Sequence, residues 1–292
     1  MRYSVIVPFR NEEQHITQCL EALCRQSVPR HEYELIFVDN GSTDGSSERV
    51  QQIPGVRLFT ERAVGAYAAR NRGLLAARGD LIVFTDADCA PAADWLERFW
   101  DGMERAGADI ALGRRRFPTG RAALLALCEE YEDAKTAYVV GPGPSERLFA
   151  FTNNVAIRRA VVQRLGPFLE WSRGADIEYL QRYVRRFGRD AIIHVPGAIV
   201  THLELDRVHH WLTKQFLYGG VTRQLKQEGV YRPLTYQERR MIQRRCECAL
   251  RYSPIRRLGF CGILALGGLC FELGTLWGEW SGCWASQRLS VQ

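Results

Sequence analysis

Apolar and polar positions follow two different periods along the first two thirds of this chain. Short apolar blocks rich in β-branched and aromatic residues recur at Tyr3–Val7, Glu34–Val38, Arg57–Thr60 and Leu81–Phe84. Between them apolar residues fall three or four apart, as Ile16, Leu20 and Leu23 do, which is the spacing of one helix face. The blocks predict buried strands, and the stretches between predict helices over about 13–26, from Ser46, and from Gly65 to Ala77. Pro8 and Pro91 are expected to end the strands near them. Strands alternating with helices at this interval predict parallel β-α-β units with right-handed crossovers, so an α/β sheet flanked by helices.

The pattern continues with a strand at Ile110–Gly113, helix over 121–138, a Gly/Pro-rich loop at 141–145 and a strand at Thr152–Ile157. Helices follow at Arg159–Leu165 and Asp176–Phe187, with strands at Ala191–His194 and Ala198–Thr201. Residues 205–257 read as helical and arginine-rich, and 258–278 as an apolar run interrupted by Glu272. Three parts result: a sheet-bearing domain over 1–204, a helical segment over 205–257 and an apolar segment over 258–284.

Charge changes the picture at the C-terminal end. The net charge of +6 is uneven, because residues 1–110 carry more acids than bases while 239–257 hold seven arginines and one glutamate. Positive charge thus avoids the sheet-bearing half, which argues against nucleic acid and for a membrane surface beside the apolar run. That run is long enough for one bilayer crossing. Gly274 and Gly278 would allow close helix packing, Arg251, Arg256 and Arg257 would flank it, and Trp277, Trp280 and Trp284 suit an interface. The alternative is a helix buried on the rest of the fold. Nine cysteines with no Cys-x-x-Cys pair read as reduced thiols, with Cys19, Cys24, Cys261 and Cys270 in apolar surroundings. Cys246 and Cys248 stand too close together for paired zinc ligands. A strand directly at the N-terminus leads to the expectation of no signal peptide.

The candidate chemistry sits at strand ends. Asp86 and Asp88 follow the block Leu81–Phe84, where open α/β sheets bind ligands, and their spacing lets both carboxylates face one hard cation. Glu12 and Asp39 follow the first two strands, so both reach one crevice and could bond a base or ribose. For Asp39 the competing reading is a turn-forming residue in Asp39-Asn-Gly-Ser, and for Glu12 a solvated acid near a helix start. Asp44 reads as a helix cap.

Together, Val5-Ile-Val-Pro8-Phe-Arg10-Asn-Glu12, Val38-Asp39-Asn-Gly-Ser-Thr-Asp44, Ala69-Arg70-Asn71-Arg-Gly73 and Thr85-Asp86-Ala-Asp88 resemble the family 2 glycosyltransferases over roughly residues 1–220. The resemblance implies a GT-A fold, a mostly parallel Rossmann-like sheet, and an inverting transfer from a nucleotide-diphosphate sugar, with Mg²⁺ or Mn²⁺ as cofactor. It places Pro8, Arg10, Glu12, Asp39, Arg70 and Asp86 around the donor, with Arg10 standing where an aromatic is often found. It makes Asp88 the metal ligand, with Asp86 and His202 as further candidates. Without that context Arg70 would read as a surface salt-bridge residue and His202 as a satisfied histidine at the end of a strand.

An inverting transfer needs a base for the acceptor hydroxyl. Gly174-Ala175-Asp176-Ile-Glu178-Tyr-Leu-Gln-Arg182 resembles the family's Glu-Asp-x-Asp-Leu-x-x-Arg, with Ala175 in place of the usual glutamate. Asp176 is therefore the expected base and Glu178 the fallback, an N-cap being the competing role for Asp176. Asn153 and Asn154 fall where the family lines its acceptor pocket, and Phe216-Leu-Tyr-Gly-Gly resembles a further family feature. No Gln-x-x-Arg-Trp follows, which disfavours a processive enzyme. A sugar-phosphate nucleotidyltransferase would need a glycine-rich basic loop that residues 3–12 lack. The expected acceptor is a lipid-linked molecule or a saccharide at the cytoplasmic face of a membrane, with the chain peripheral or single-pass. The alternative function is a non-catalytic nucleotide-sugar-binding or scaffold subunit of a polysaccharide assembly.

Overall fold

A computed structural model describes residues 1–118, 123–227 and 229–281. In chain order its elements are β1 (Tyr3–Phe9), α1 (Ile16–Cys24), β2 (Tyr33–Asp39), α2 (Ser46–Gln51), β3 (Val56–Thr60), α3 (Ala66–Ala76), β4 (Leu81–Phe84), β5 (Cys89–Pro91) and α4 (Trp95–Ala106). There follow β6 (Ile110–Arg116), α5 (Ala123–Val140), β7 (Val155–Arg158), α6 (Arg159–Leu165), α7 (Ala175–Phe187), β8 (Ile192–His202), α8 (Val208–Gln227), α9 (Tyr236–Ala249) and α10 (Pro254–Ser281).

The eight strands form one sheet in the order β3-β2-β1-β4-β7-β6-β8-β5. The first four run parallel, Val5 of β1 lying opposite Leu35 on one side and Val83 on the other. β7 runs antiparallel to both β4 and β6, and β5 antiparallel to β8. The α/β class is as expected, but the sheet is mixed, and its second half is not built of parallel β-α-β units. All of β1 is buried, as its continuous apolar sequence requires of a strand covered on both faces.

Pro8 does not end β1, which runs on to Phe9. The β1–β4 ladder stops at Ile6–Phe84, with Thr85 N–H closing onto the Ile6 carbonyl, so a missing N–H at Pro8 removes no ladder bond. Pro91 is the last residue of β5, as expected, and β5 occupies the sheet edge, where a proline is tolerated. The two short strands expected over 191–201 are one strand, β8.

The chain divides into two compact units, Met1–Arg114 with Ala150–Leu203, and Arg115–Phe149 with the residues from Glu204 onward. The first holds most of the sheet, with Trp95, Phe99 and Met103 of α4 among its core residues. In the second, α10 packs against α8 and α5. A Cβ at Gly274 would overlap the Phe216 carbonyl, and one at Gly219 the Phe271 carbonyl, so both helices need glycine at their contact. The expected close packing at Gly274 and Gly278 is therefore present, against Phe216 and Gly220 of α8.

Only 22% of the most apolar stretch of α10 is buried, so within its unit it is not a core helix. Trp284 and the end of the 258–284 segment lie outside the described residues, as does the start of the helix expected over 121–138. Cys19 is a buried thiol as expected, whereas Cys24 and Cys261 fall on exposed helix faces and Cys270 is half-buried.

Candidate active site

The turns after β1 and β2 are stitched together. Asn11 adopts a left-handed backbone (φ 55°), and its side-chain oxygen accepts from Thr43 N–H at 2.8 Å while its own N–H donates to Ser42 Oγ at 3.0 Å. Glu12 N–H donates to Ser46 Oγ at 2.8 Å. Asp44 accepts from Glu13 N–H at 3.1 Å and from Ser46 N–H at 3.1 Å, a structural role as expected, although the N-cap position of α2 itself falls to Gly45. Asn40 ties the turn to the chain before α3, donating to the Glu61 and Ala63 carbonyls and accepting from Gly65 N–H.

These turns wall a cleft of about 330 Å³ at the C-terminal ends of β1, β2 and β4. Pro8, Arg10, Glu12, Arg70, Asp86 and Asp88 all line it, so six of the expected site residues share one cavity. Asp39 is not in the lining. Its carboxylate accepts from Ser42 N–H at 2.9 Å and Ser47 Oγ at 2.6 Å, which is the turn-forming role.

Arg70 is 4% exposed, so it is no surface salt-bridge residue. Gly73, one turn on, leaves room for the Ile6 side chain and lets α3 lie close against β1. Arg70 Nη2 stands 2.5 Å from Asp86 Oδ1, and the guanidinium lies over the Tyr67 ring at 5.1 Å. Charge pairing with Asp86, Tyr67 and Asp176 holds the Arg70 pKa up against a burial penalty that is the largest single influence on it.

Asp88 and His202 come together through β5, an element too short for its pattern to be read. Pairing of β5 with β8 sets Cys89 opposite His202, and Leu203 N–H donates to the Asp88 carbonyl at 2.7 Å. Asp88 Oδ2 and His202 Nδ1 are 3.5 Å apart, and with Cys89 Sγ their donor atoms lie within 4.8 Å of one another. Burial, followed by the charges of Asp88 and Asp86, pushes the Cys89 thiol well up, so it is neutral and donates to Asp88 Oδ1 at 3.5 Å. Carboxylate oxygen with imidazole nitrogen suits a hard or borderline divalent ion such as Mn²⁺ or Mg²⁺. Asp86, held by Arg70, stands outside this close set.

Asp176 occupies the first turn of α7. The helix is capped by Gly174 in a left-handed conformation (φ 82°), so the N-cap role does not fall to Asp176. Burial raises the Asp176 pKa above the usual aspartate value, opposed by hydrogen bonds from the Tyr67 hydroxyl and the Ile177 and Thr152 N–H groups and by the Arg70 charge. Asp86, Arg70, Tyr67 and Asp176 therefore form one linked polar series. Tyr67 was missed in the sequence, although its position one turn before Arg70 puts it on the same helix face.

Glu178, two residues along α7, points elsewhere. It is ion-paired with Arg182 at 3.3 Å and more distantly with Arg185, and burial raises its pKa. Asn154 is a structural pin: its Oδ1 accepts from Trp95 Nε1 at 2.9 Å and its Nδ2 donates to the Arg114 and Ala198 carbonyls. Asn153, by contrast, has a buried Oδ1 with no hydrogen-bond partner. Of the pair, Asn153 is therefore not the structural pin.

Residues 4–166 match the model of glycosyl transferase family 2. Glycosyltransferase AglE of Haloferax volcanii is 35% identical over 202 residues, covering 65% of each chain. The poly(ribitol-phosphate) beta-glucosyltransferase of Bacillus spizizenii is 30% identical over 218 residues, 67% of this chain and 34% of that one. The matched segment thus spans less than two thirds of either relative. Among solved structures, mannosyltransferase PcManGT from Pyrobaculum calidifontis, in complex with GDP-Man and Mn²⁺, superposes with a TM-score of 0.59 at 21% identity, over 97% of this chain and 79% of that one. At that identity the likeness shows the fold, which is of the GT-A type.

Proposed function

Because the chain belongs to glycosyl transferase family 2, we propose that it moves a sugar from a nucleotide-diphosphate donor to an acceptor hydroxyl with inversion at the anomeric carbon. The observation that carries this reading is the cleft in which Asp86 and Asp88 converge with Arg70, whose charge also acts on the half-buried carboxyl of Asp176.

In this reading the donor base and ribose lie against Pro8, Arg10 and Glu12, and Asp39 shapes the turn beneath them or bonds the nucleotide with its remaining lone pairs. The guanidinium plane of Arg10 can stack on the base. Arg70 orients Asp86 and supplies positive charge near the diphosphate. Mg²⁺ or Mn²⁺, held by Asp88 and His202 with Asp86 nearby, would neutralise the charge that builds on the departing diphosphate. Asp176 takes the proton of the acceptor hydroxyl as its oxygen bonds the anomeric carbon and the bond to the diphosphate breaks. Asn153 accepts a hydrogen bond from the acceptor.

The catalytic domain is proposed to span 1–204, with 205–257 and 258–284 as accessory segments. The acceptor is proposed to be a cell-surface saccharide or lipid-linked molecule, met at the cytoplasmic face of a membrane. AglE and the Bacillus poly(ribitol-phosphate) enzyme support the glycosyltransferase class. Purified protein should release nucleoside diphosphate from one member of a UDP-, GDP- and dTDP-sugar panel, and excess EDTA should stop it. A chain that binds one of these sugars yet releases no diphosphate with any acceptor would instead be a binding subunit.

A further inference from the structure

α10 uses one face inside its own unit and leaves the other outside it. Phe260 and Ile263 are buried, and Gly267 and Gly274 lie against Trp211 and Phe216 of α8. On the opposite side Leu258, Leu266, Leu269, Leu273, Leu276 and Trp277 are between 44% and 77% exposed. Their spacing keeps them on one side of the helix over about 30 Å. A continuous apolar face of that length is not a normal solvent surface.

Two observations decide what covers it. The first is charge: Arg251 and Arg257 are exposed at the N-terminal end of the face, whereas Arg256 is tied to Glu130 at 2.5 Å. Exposed arginines beside an apolar face fit anionic headgroups beside acyl chains. The second is the contact with α8. Close contacts at Gly219, Gly267, Gly274 and Gly278 lock α8 to α10, and Phe216 packs on Trp277 at 5.8 Å. A crossing α10 would carry α8 into hydrocarbon with its Lys214, Arg223 and Lys226, at a cost of several kcal/mol. Glu272, which is exposed, would also enter the bilayer, whereas on a helix lying flat its carboxylate reaches interfacial water.

We propose that α10 lies in the plane of an anionic bilayer, its leucine face in the headgroup–acyl boundary and Arg251 and Arg257 on the headgroups, and that it does not cross. This rests on the membrane part of the reading above and not on its chemistry. The full-length protein should co-float with vesicles of mixed phosphatidylglycerol and phosphatidylcholine and bind pure phosphatidylcholine far less. Leu269→Glu with Leu276→Glu should raise the lipid needed for half-binding at least tenfold, and Arg251→Glu or Arg257→Glu roughly fivefold each at low salt. A C-terminal tag and the catalytic domain should both be cleaved by protease added outside the vesicles. Donor hydrolysis without lipid should be unchanged in all these variants, which separates failure of docking from failure of the enzymatic reading. Three results would overturn the proposal: a tag protected inside the vesicles, wild-type protein that ignores anionic vesicles, or a stable dimer that Leu269→Glu turns into a monomer. The last would mean that a second copy covers the face.

Discussion

Tyr67→Phe isolates the link between the buried tyrosine and the proposed base. Tyr67 is 6% exposed, and its ring packs on Phe168 at 5.8 Å and under Arg70 at 5.1 Å. Phenylalanine keeps those contacts and removes only the O–H that Asp176 accepts. A hydrogen bond to a charged acceptor contributes about 1.5–3 kcal/mol. The backbone N–H groups of Ile177 and Thr152 remain, so the lower end applies, and about 1.4 kcal/mol is tenfold.

The sign follows from which form the bond favours. The hydroxyl supports the ionised carboxylate against a burial effect that already raises the Asp176 pKa. Its loss raises that pKa further, so the acid limb of kcat should move to higher pH. On that limb the variant should be about tenfold slower than wild type, and on the plateau within about threefold, with donor KM unchanged. Initial rates of nucleoside diphosphate release with saturating acceptor, taken across pH, measure this directly. An acid limb that stays in place, or a uniform fall at every pH, would refute Tyr67 as the group that poises Asp176.

Asp176→Asn should lower turnover roughly 10²-fold or more with donor affinity nearly intact; a dead Glu178→Gln beside a live Asp176→Asn would move the base to Glu178. Asp88→Ala should abolish metal-dependent transfer and weaken Mn²⁺ binding by calorimetry while the fold survives, and turnover of wild type in excess EDTA would remove the metal from the scheme. Asn154→Ala should cost about 2–4 kcal/mol in urea unfolding by stranding the Trp95 indole and two carbonyls. Asn153→Ala should leave stability within about 1 kcal/mol and raise acceptor KM instead.

The parallel half of the sheet was legible because β1, β2 and β4 are buried on both faces and their sequences say so. Strand direction was not, since an apolar block reads the same either way, and β7 proved antiparallel. β5 has three residues, too few for a period, yet it brings Asp88 to His202. The cleft residues were named from motifs, but motif and turn chemistry coincide at Asp39, where Ser42 and Ser47 occupy the carboxylate. Asn153 and Asn154 look alike in sequence; only the packing of Trp95 separates the pin from the candidate ligand.

The glycine contact between α8 and α10 also fixes a rotational phase. Gly219 meets the Phe271 backbone and Gly274 the Phe216 backbone, so α10 has almost no freedom to roll about its own axis. Which residues face outward is thereby set by where its glycines fall and not by the outward residues themselves. One residue inserted between Gly267 and Gly274 would turn the remainder of the helix by about 100° against the first part. The seam could then be kept at one end only, and Leu258 and Leu276 would no longer lie in line. Point substitutions on the leucine face should therefore be far better tolerated by the fold than a change of length that leaves every leucine in place.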